Sequence, residues 1–308
     1  MSAGTDPVRE LLRWLEAVEV PRQIVLGCAA ADLPPLPAAM AGIRLQGCFS
    51  QEDLGLPAQL LACGVETIRV VACGEDADDH ERHLRSWMAV LPDVAPLEGR
   101  PRVGLSLSRG SVHVMGTAAL PRRLALGLGR GRELPLNLDL DAASRTVEAL
   151  RILRARGRAH DPDPPDGADG SGAPASAANG VELSAVGCIA CGVCVRACPH
   201  AALALDHRGG TSALTHVVDA CRGEQDCVAL CPVGALTPGR SLSVIELADR
   251  SRQTLAQIAT TVCGRCGARH TGDDGSLCEA CAFRTQNPFG SMAPPFDIRA
   301  SPGRMRGR

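Results

Sequence analysis

Apolar positions in DPVRELLRWLEAV, residues 6 to 18, fall at Leu11, Leu12, Leu15 and Val18, one stripe of a 3.6-residue period. Asp6 and Pro7 stand where an N-cap and a first-turn proline belong, so a helix is predicted to start here. Three short apolar runs follow, QIVLG, IRLQG and TIRVVA. A helical pattern over residues 52 to 63 lies between the last two, and DADDHERHLRSWMAVL follows the third. Strands alternating with helices predict a parallel α/β sheet. After residue 100 the pattern weakens. RVGLSLS has strand character, and DAASRTVEALRILRARG predicts a closing helix with Asp141 near its start. An N-terminal α/β domain is therefore expected over residues 1–156.

Residues 157–180 are Pro, Gly, Ala and Asp with almost nothing to bury, and are expected to be a flexible linker. Beyond them the composition changes. Of the 15 cysteines, four precede residue 80 and eleven lie between 188 and 281. No apolar run reaches the ~20 residues a membrane helix needs. The N-terminus lacks the basic-then-apolar layout of a secretory signal, so a cytoplasmic location is expected. Cysteines at this density in a reducing compartment point to metal in place of disulfides. A net charge of −2 and 2% aromatic residues argue against a nucleic-acid partner. GLGRGRE, residues 127 to 133, lacks G-x-G-x-x-G spacing, so no dinucleotide site is expected there.

The strongest motif is CIACGVCVRACP: Cys188, Cys191, Cys194 and Cys198, then Pro199, in C-x2-C-x2-C-x3-C-P spacing. Three close thiolates in such a run wrap one iron–sulfur cube, and the fourth reaches another. A second copy lies 33 residues on, with Cys221, Cys227, Cys231 and Pro232 in register. The one mismatch is Glu224, which stands where Cys191 has its counterpart. Residues 181–240 resemble the dicluster ferredoxins, a small α+β fold. The resemblance implies crosswise ligation. Cluster one takes Cys188, Cys191, Cys194 and Cys231. Cluster two takes Cys198, Cys221 and Cys227, with Glu224 facing the fourth iron. Three outcomes are open for the second site: a 3Fe–4S cluster, a 4Fe–4S cluster ligated by Glu224, or no cluster at all.

CGRCGARHTGDDGSLCEAC supplies Cys263, Cys266, Cys278 and Cys281, two C-x2-C pairs 11 residues apart. Four thiolates close a tetrahedral site, with zinc or iron as the ion, and a zinc-ribbon-like module is expected over residues 259–285. A helix over residues 241–258 is expected to connect it to the ferredoxin domain, and residues 286–308 form an Arg- and Pro-rich flexible tail. His270 is expected to be a surface residue, not a ligand.

In the N-terminal domain Cys28, Cys48 and Cys73 each end one of the apolar runs, which in a parallel sheet brings them to the carboxyl edge. They are candidate cluster ligands, with His80 or His83 as a further donor, or else small buried residues. Cys63 falls in a helical stretch and is expected in the core. Around Cys48, Gly64 to Val71 and Cys73, residues 22 to 80 resemble the hydrogenase iron–sulfur (delta) subunit family, associated with methyl-viologen-reducing hydrogenase and heterodisulfide reductase. The chain lacks further cysteines which that family uses for a two-iron cluster. The resemblance implies electron relay within a larger complex. The expected function is therefore that of an iron–sulfur electron-transfer subunit of a cytosolic oxidoreductase of hydrogenase, formate dehydrogenase or heterodisulfide-reductase type. Its partner would be a catalytic subunit or another redox protein. The rival readings are an assembly factor for a metalloenzyme and a thiol-dependent redox enzyme.

Overall fold

The computed structural model describes residues 6–74, 77–99, 110–117, 132–161, 179–272 and 276–288. The predicted strand RVGLSLS, nearly all of GLGRGRE, most of the linker and most of the tail lie outside the described residues. The chain forms two compact units. The first takes the N-terminal region to Glu182 together with Val218–Glu224 and Arg240–Arg252; the second takes the remainder.

Helix α1 (Pro7–Ala17) opens the first unit, and the Asp6 carboxylate accepts the Arg9 N–H at 2.9 Å as its cap. Strands β1 (Gln23–Gly27) and β2 (Met40–Arg44) pair in parallel, Gln23 opposite Met40. Helix α2 (Gly55–Ala62) leads to β3 (Thr67–Val71), and α3 (Ala77–Val90) to β4 (Val94–Pro96). β5 (Val112–Val114) completes a five-stranded parallel sheet of order β4-β3-β1-β2-β5. β1 sits at its centre and is buried almost throughout, as a parallel strand covered on both faces should be. The closing helix α4 (Ala142–Ala155) is capped by Asp141, whose carboxylate accepts the Ser144 N–H at 3.0 Å. The second strand differs from expectation: it ends at Arg44, not Gly47, because its pairing with β1 starts at Met40.

Every residue of α2 is buried, and it lies so close to α4 that a β-carbon on Gly55 would collide with Thr146 Oγ1. That seam carries a polar chain. Arg145 is fully buried; it donates to Gln59 Oε1 at 3.0 Å, to the Leu140 carbonyl at 2.6 Å and to Asp6 Oδ2 at 2.5 Å. Removing the anion from a buried pair strands the cation. Asp6→Ala is therefore expected to destabilise the first unit by about 3 to 4 kcal/mol, about 1 of it from the lost cap. Asp6→Asn keeps the cap and should recover only that part. Hydrogen exchange over residues 7–17 measures both. Burial pushes the Asp6 carboxyl up, but the Arg9 N–H and Arg145 outweigh it and hold it below its ordinary value. The pair's contribution is thus complete above that ordinary value and fades as pH falls through the depressed one.

In the second half, β6 (Gly180–Ala185) precedes the short helix α5 (Val193–Ala197). β7 (Leu203–Arg208) and β8 (Thr211–Val217) form an antiparallel hairpin turned by Gly209–Gly210, with Gly209 at φ +55°. Helix α6 (Asp226–Ala229) precedes β9 (Leu236–Leu242), the sheet partner of β6. The expected helix over 241–258 is corrected. A Ser243/Glu246 capping box starts α7 (Val244–Asp249), but Arg250 is already extended and β10 (Arg252–Ala259) pairs beside β8. A free strand edge overrides helical propensity here. The boundary expected at residue 156 also moves, since Arg158 bonds Asp93 at 2.7 Å and Ala159 is buried. β11 (Thr261–Val262), β12 (Arg269–His270) and α8 (Glu279–Gln286) end the described fold.

Candidate metal centres

The 33-residue repeat is written into the backbone. Ala190, Gly192 and Ala201 have φ of 56°, 70° and 51°; their counterparts Gly223, Gln225 and Gly234 have 75°, 61° and 60°. Three of these six are not glycine, and each such residue costs on the order of 1 kcal/mol. The left-handed positions turn amide N–H groups toward sulfur. Ala202 N–H donates to Cys198 Sγ at 3.4 Å, and Ala235 N–H to Cys231 Sγ at 3.2 Å, again 33 residues apart.

Cys188, Cys191, Cys194 and Cys231 line one narrow apolar cavity, completed by side chains such as Ile189, Leu205, Leu214 and Val233. Burial pushes the Cys194 thiol up to about 11, with the charges of Cys188 and Cys191 adding to it. Cys231 is lowered: burial raises it, but the N–H groups of Ala235, Val233, Leu236 and Gly234 prevail. These four sulfurs are absent from the sets whose donor atoms all lie within 4.8 Å of one another. A polynuclear cube, which spreads its ligands over several irons, suits that wider spacing. The donor set, the N–H···S bonds and the apolar wall all fit an iron–sulfur cluster. The model for the 4Fe-4S dicluster domain matches residues 187–235.

Residues 187–235 form a 4Fe-4S dicluster domain. A ferredoxin of Pyrobaculum islandicum is 44% identical over 50 residues, 16% of this chain and 44% of that ferredoxin. The chain thus spans under half the length of the curated relative it matches. The dicluster domain binds 4Fe–4S and carries electrons. Of the residues expected at the second site, Cys221 and Cys227 of the second repeat are buried, Glu224 of the same repeat is exposed, and Cys198 of the first repeat is half-buried.

Two other donor sets converge far more tightly. Cys263, Cys266, Cys278 and Cys281 have all four sulfurs within 4.8 Å of one another. The first pair sits in the turn between β11 and β12, where Gly267 at φ +72° returns its N–H to the Cys263 carbonyl. Cys278 caps α8 and Cys281 lies in its first turn, so the ribbon-like hairpin supplies half the site and a helix start the other half. N–H groups of Cys278, Cys266 and Arg265 lower the Cys263 thiol to about 5. His270 is outside this set.

The other set is N-terminal: Cys28, Cys48, Cys73 and His80. Cys28 follows β1 directly and Cys73 follows β3 after one residue; Cys48 stands beyond β2, before a 3-10 turn at Phe49–Gln51. Of the two histidines considered, the structure brings in His80, with Nε2 2.7 Å from Cys48 Sγ. His83 turns away, its Nε2 2.9 Å from the Glu52 carbonyl oxygen. His80 sits seven residues past Cys73, in the first turn of α3; sequence spacing alone could not choose between it and His83. Cys63 is buried inside the fold, and burial pushes its thiol up to about 12.

Proposed function

We propose that the chain is the iron–sulfur electron-transfer subunit of a cytoplasmic, multi-subunit oxidoreductase of hydrogenase, formate dehydrogenase or heterodisulfide-reductase type. The observation that carries this reading is the dicluster domain, with one cavity walled by Cys188, Cys191, Cys194 and Cys231. Bound clusters supply one-electron transfer. The chain's residues hold them, donate N–H bonds to their sulfurs and keep water off them. Val186, Leu230 and Val233 are 83%, 58% and 42% exposed and flank Cys188 and Cys231 in the chain, as suits a site that passes electrons to a docked protein. Among the described residues no helix is long and apolar enough to cross a membrane.

On this reading Cys188, Cys191, Cys194 and Cys231 hold a 4Fe–4S cluster. The resemblance to dicluster ferredoxins supports Cys198, Cys221 and Cys227 as ligands of a second one. Glu224 replaces the fourth thiolate with a harder carboxylate, so the second cluster is assigned as 3Fe–4S. Zinc fills the C-terminal four-sulfur site. The test is anaerobic purification, iron counting, and stepwise reduction followed by electron paramagnetic resonance. Two reduction steps are expected, with electrons passing rapidly to a catalytic partner. Clusters that cannot be reduced, or that leave the protein for an apo-acceptor, would instead mark an assembly factor. The oxidised protein should show a 3Fe signal. Glu224→Cys should abolish it and raise the iron count by about one per chain. An unchanged spectrum in that variant would remove Glu224 from the second site.

A further inference from the structure

The N-terminal donor set has a geometry that a cluster does not explain. Around a tetrahedral ion with ~2.3 Å metal–sulfur bonds, neighbouring sulfurs stand about 3.8 Å apart. Cys28 and Cys48 Sγ are 3.7 Å apart, close to the 3.6 Å between Cys266 and Cys278 in the C-terminal four-sulfur site. Nε2 of His80 lies 3.7 Å from Cys73 Sγ, near the ~3.6 Å that a tetrahedral ion sets between nitrogen and sulfur; its 2.7 Å contact with Cys48 Sγ is a direct one that a bound ion would open by about 1 Å. All four donors fall within 4.8 Å of one another. A two-iron rhomb carries its ligand pairs at opposite ends, which pushes the pairs apart. One ion draws four donors together.

The surroundings serve thiolate and imidazole. Phe49 N–H donates to Cys28 Sγ at 3.4 Å, and Ser50 Oγ donates to Cys48 Sγ at 3.1 Å. Phe49 stacks on the His80 ring at 5.0 Å between centroids, 21° from parallel, and so fixes its plane. Cys28 and His80 are buried, while Cys48 and Cys73 are half-buried.

We propose that Cys28, Cys48, Cys73 and His80 bind a single zinc ion at the carboxyl edge of the parallel sheet. Three thiolates and one imidazole form a soft set that favours zinc and leaves no position open, so the ion's role is structural. It ties the ends of β1 and β3, the segment after β2 and the first turn of α3 into one corner.

The full chain, expressed with zinc and iron and purified without oxygen, is expected to carry about two zinc ions, one here and one at the C-terminal four-sulfur site. His80→Ala should lower that to about one and leave iron content and the ferredoxin spectrum unchanged. Cys266→Ser should remove the other zinc independently. His80→Cys should keep both zinc ions; after cobalt replacement its spectrum should shift toward that of a four-thiolate site. This last variant decides the matter even if His80→Ala fails to fold. The proposal is overturned if His80→Ala and His80→Cys leave zinc content and cobalt spectrum as they were. It is equally overturned if an iron–sulfur signal disappears with His80→Ala, or if mass spectrometry finds Cys28 and Cys48 joined as a disulfide in the anaerobic protein. Because iron reports on the dicluster domain and zinc on this corner, each reading can fail without the other.

Discussion

Cys194→Ser is expected to strip about four irons from each chain, roughly half of the total, and to take a matching share of the visible absorbance with them. Cys194 is 8% exposed and lies in helix α5 facing the cavity that Cys188, Cys191 and Cys231 complete. A serine oxygen is harder than sulfur and binds iron poorly in this setting. The remaining three thiols would be left crowded in an apolar cavity. The left-handed turns at Ala190 and Ala201 would then hold their strain with nothing to offset it. Cys63→Ser is the control. Cys63 is just as buried but belongs to the α2 core, so its replacement should cost about 1 to 2 kcal/mol of stability and no iron. Iron per chain and paramagnetic resonance of the reduced protein separate the two. Full iron in Cys194→Ser would show that the cavity is not a cluster site.

The dicluster domain was legible because its chemistry is local. Three thiolates must sit at fixed spacing to reach one cube, so the spacing survives as a pattern of letters. The duplication survives with it, as the matched bonds Ala202 to Cys198 and Ala235 to Cys231 show. The backbone that aims those bonds left less trace. Ala190, Ala201 and Gln225 occupy left-handed conformations that a glycine would advertise and they do not. The parallel sheet was legible from alternating apolar runs, but the end of β2 was not, since register is set by the partner strand. Residues 252–259 misled for the same reason. Their helical reading ignores the strand β8 beside which they pair. Nor could linear boundaries show that Val218–Glu224 and Arg240–Arg252 belong to the first unit. That depends on Arg151, which donates to Asp219 Oδ2 at 2.8 Å and to the Ala248 carbonyl at 3.0 Å, partners 68 and 97 residues away. His80 was ambiguous in sequence because His83, one turn on, has the same chemistry on nearly the same helix face, and both rings pack on Phe49; the Glu52 carbonyl beside His83 Nε2 separates the two only in the fold.

Losing the metal of the C-terminal four-sulfur site is expected to unfold residues 261–286 outright while leaving iron untouched. β11 and β12 have two residues each and α8 has eight. Strands and helices that short do not persist alone in water. Among the described residues of this segment the buried side chains are two of the ligands, Cys263 at 2% and Cys281 at 6% exposure, while Val262 and Leu277 stay exposed. Hydrophobic burial therefore supplies little, and the ion's apparent contribution of about 10 to 16 kcal/mol must supply the rest. Cys281→Ser should accordingly erase hydrogen-exchange protection at Cys263 and Gly267, whose N–H groups bond the carbonyls of Ala268 and Cys263. Acid should do the same reversibly, because protons compete with the ion for all four sulfurs. The hairpin of β7 and β8 has its own six-residue register and should keep its protection throughout. If Cys263 and Gly267 stay protected in Cys281→Ser, the segment folds without an ion and the four sulfurs are not its support.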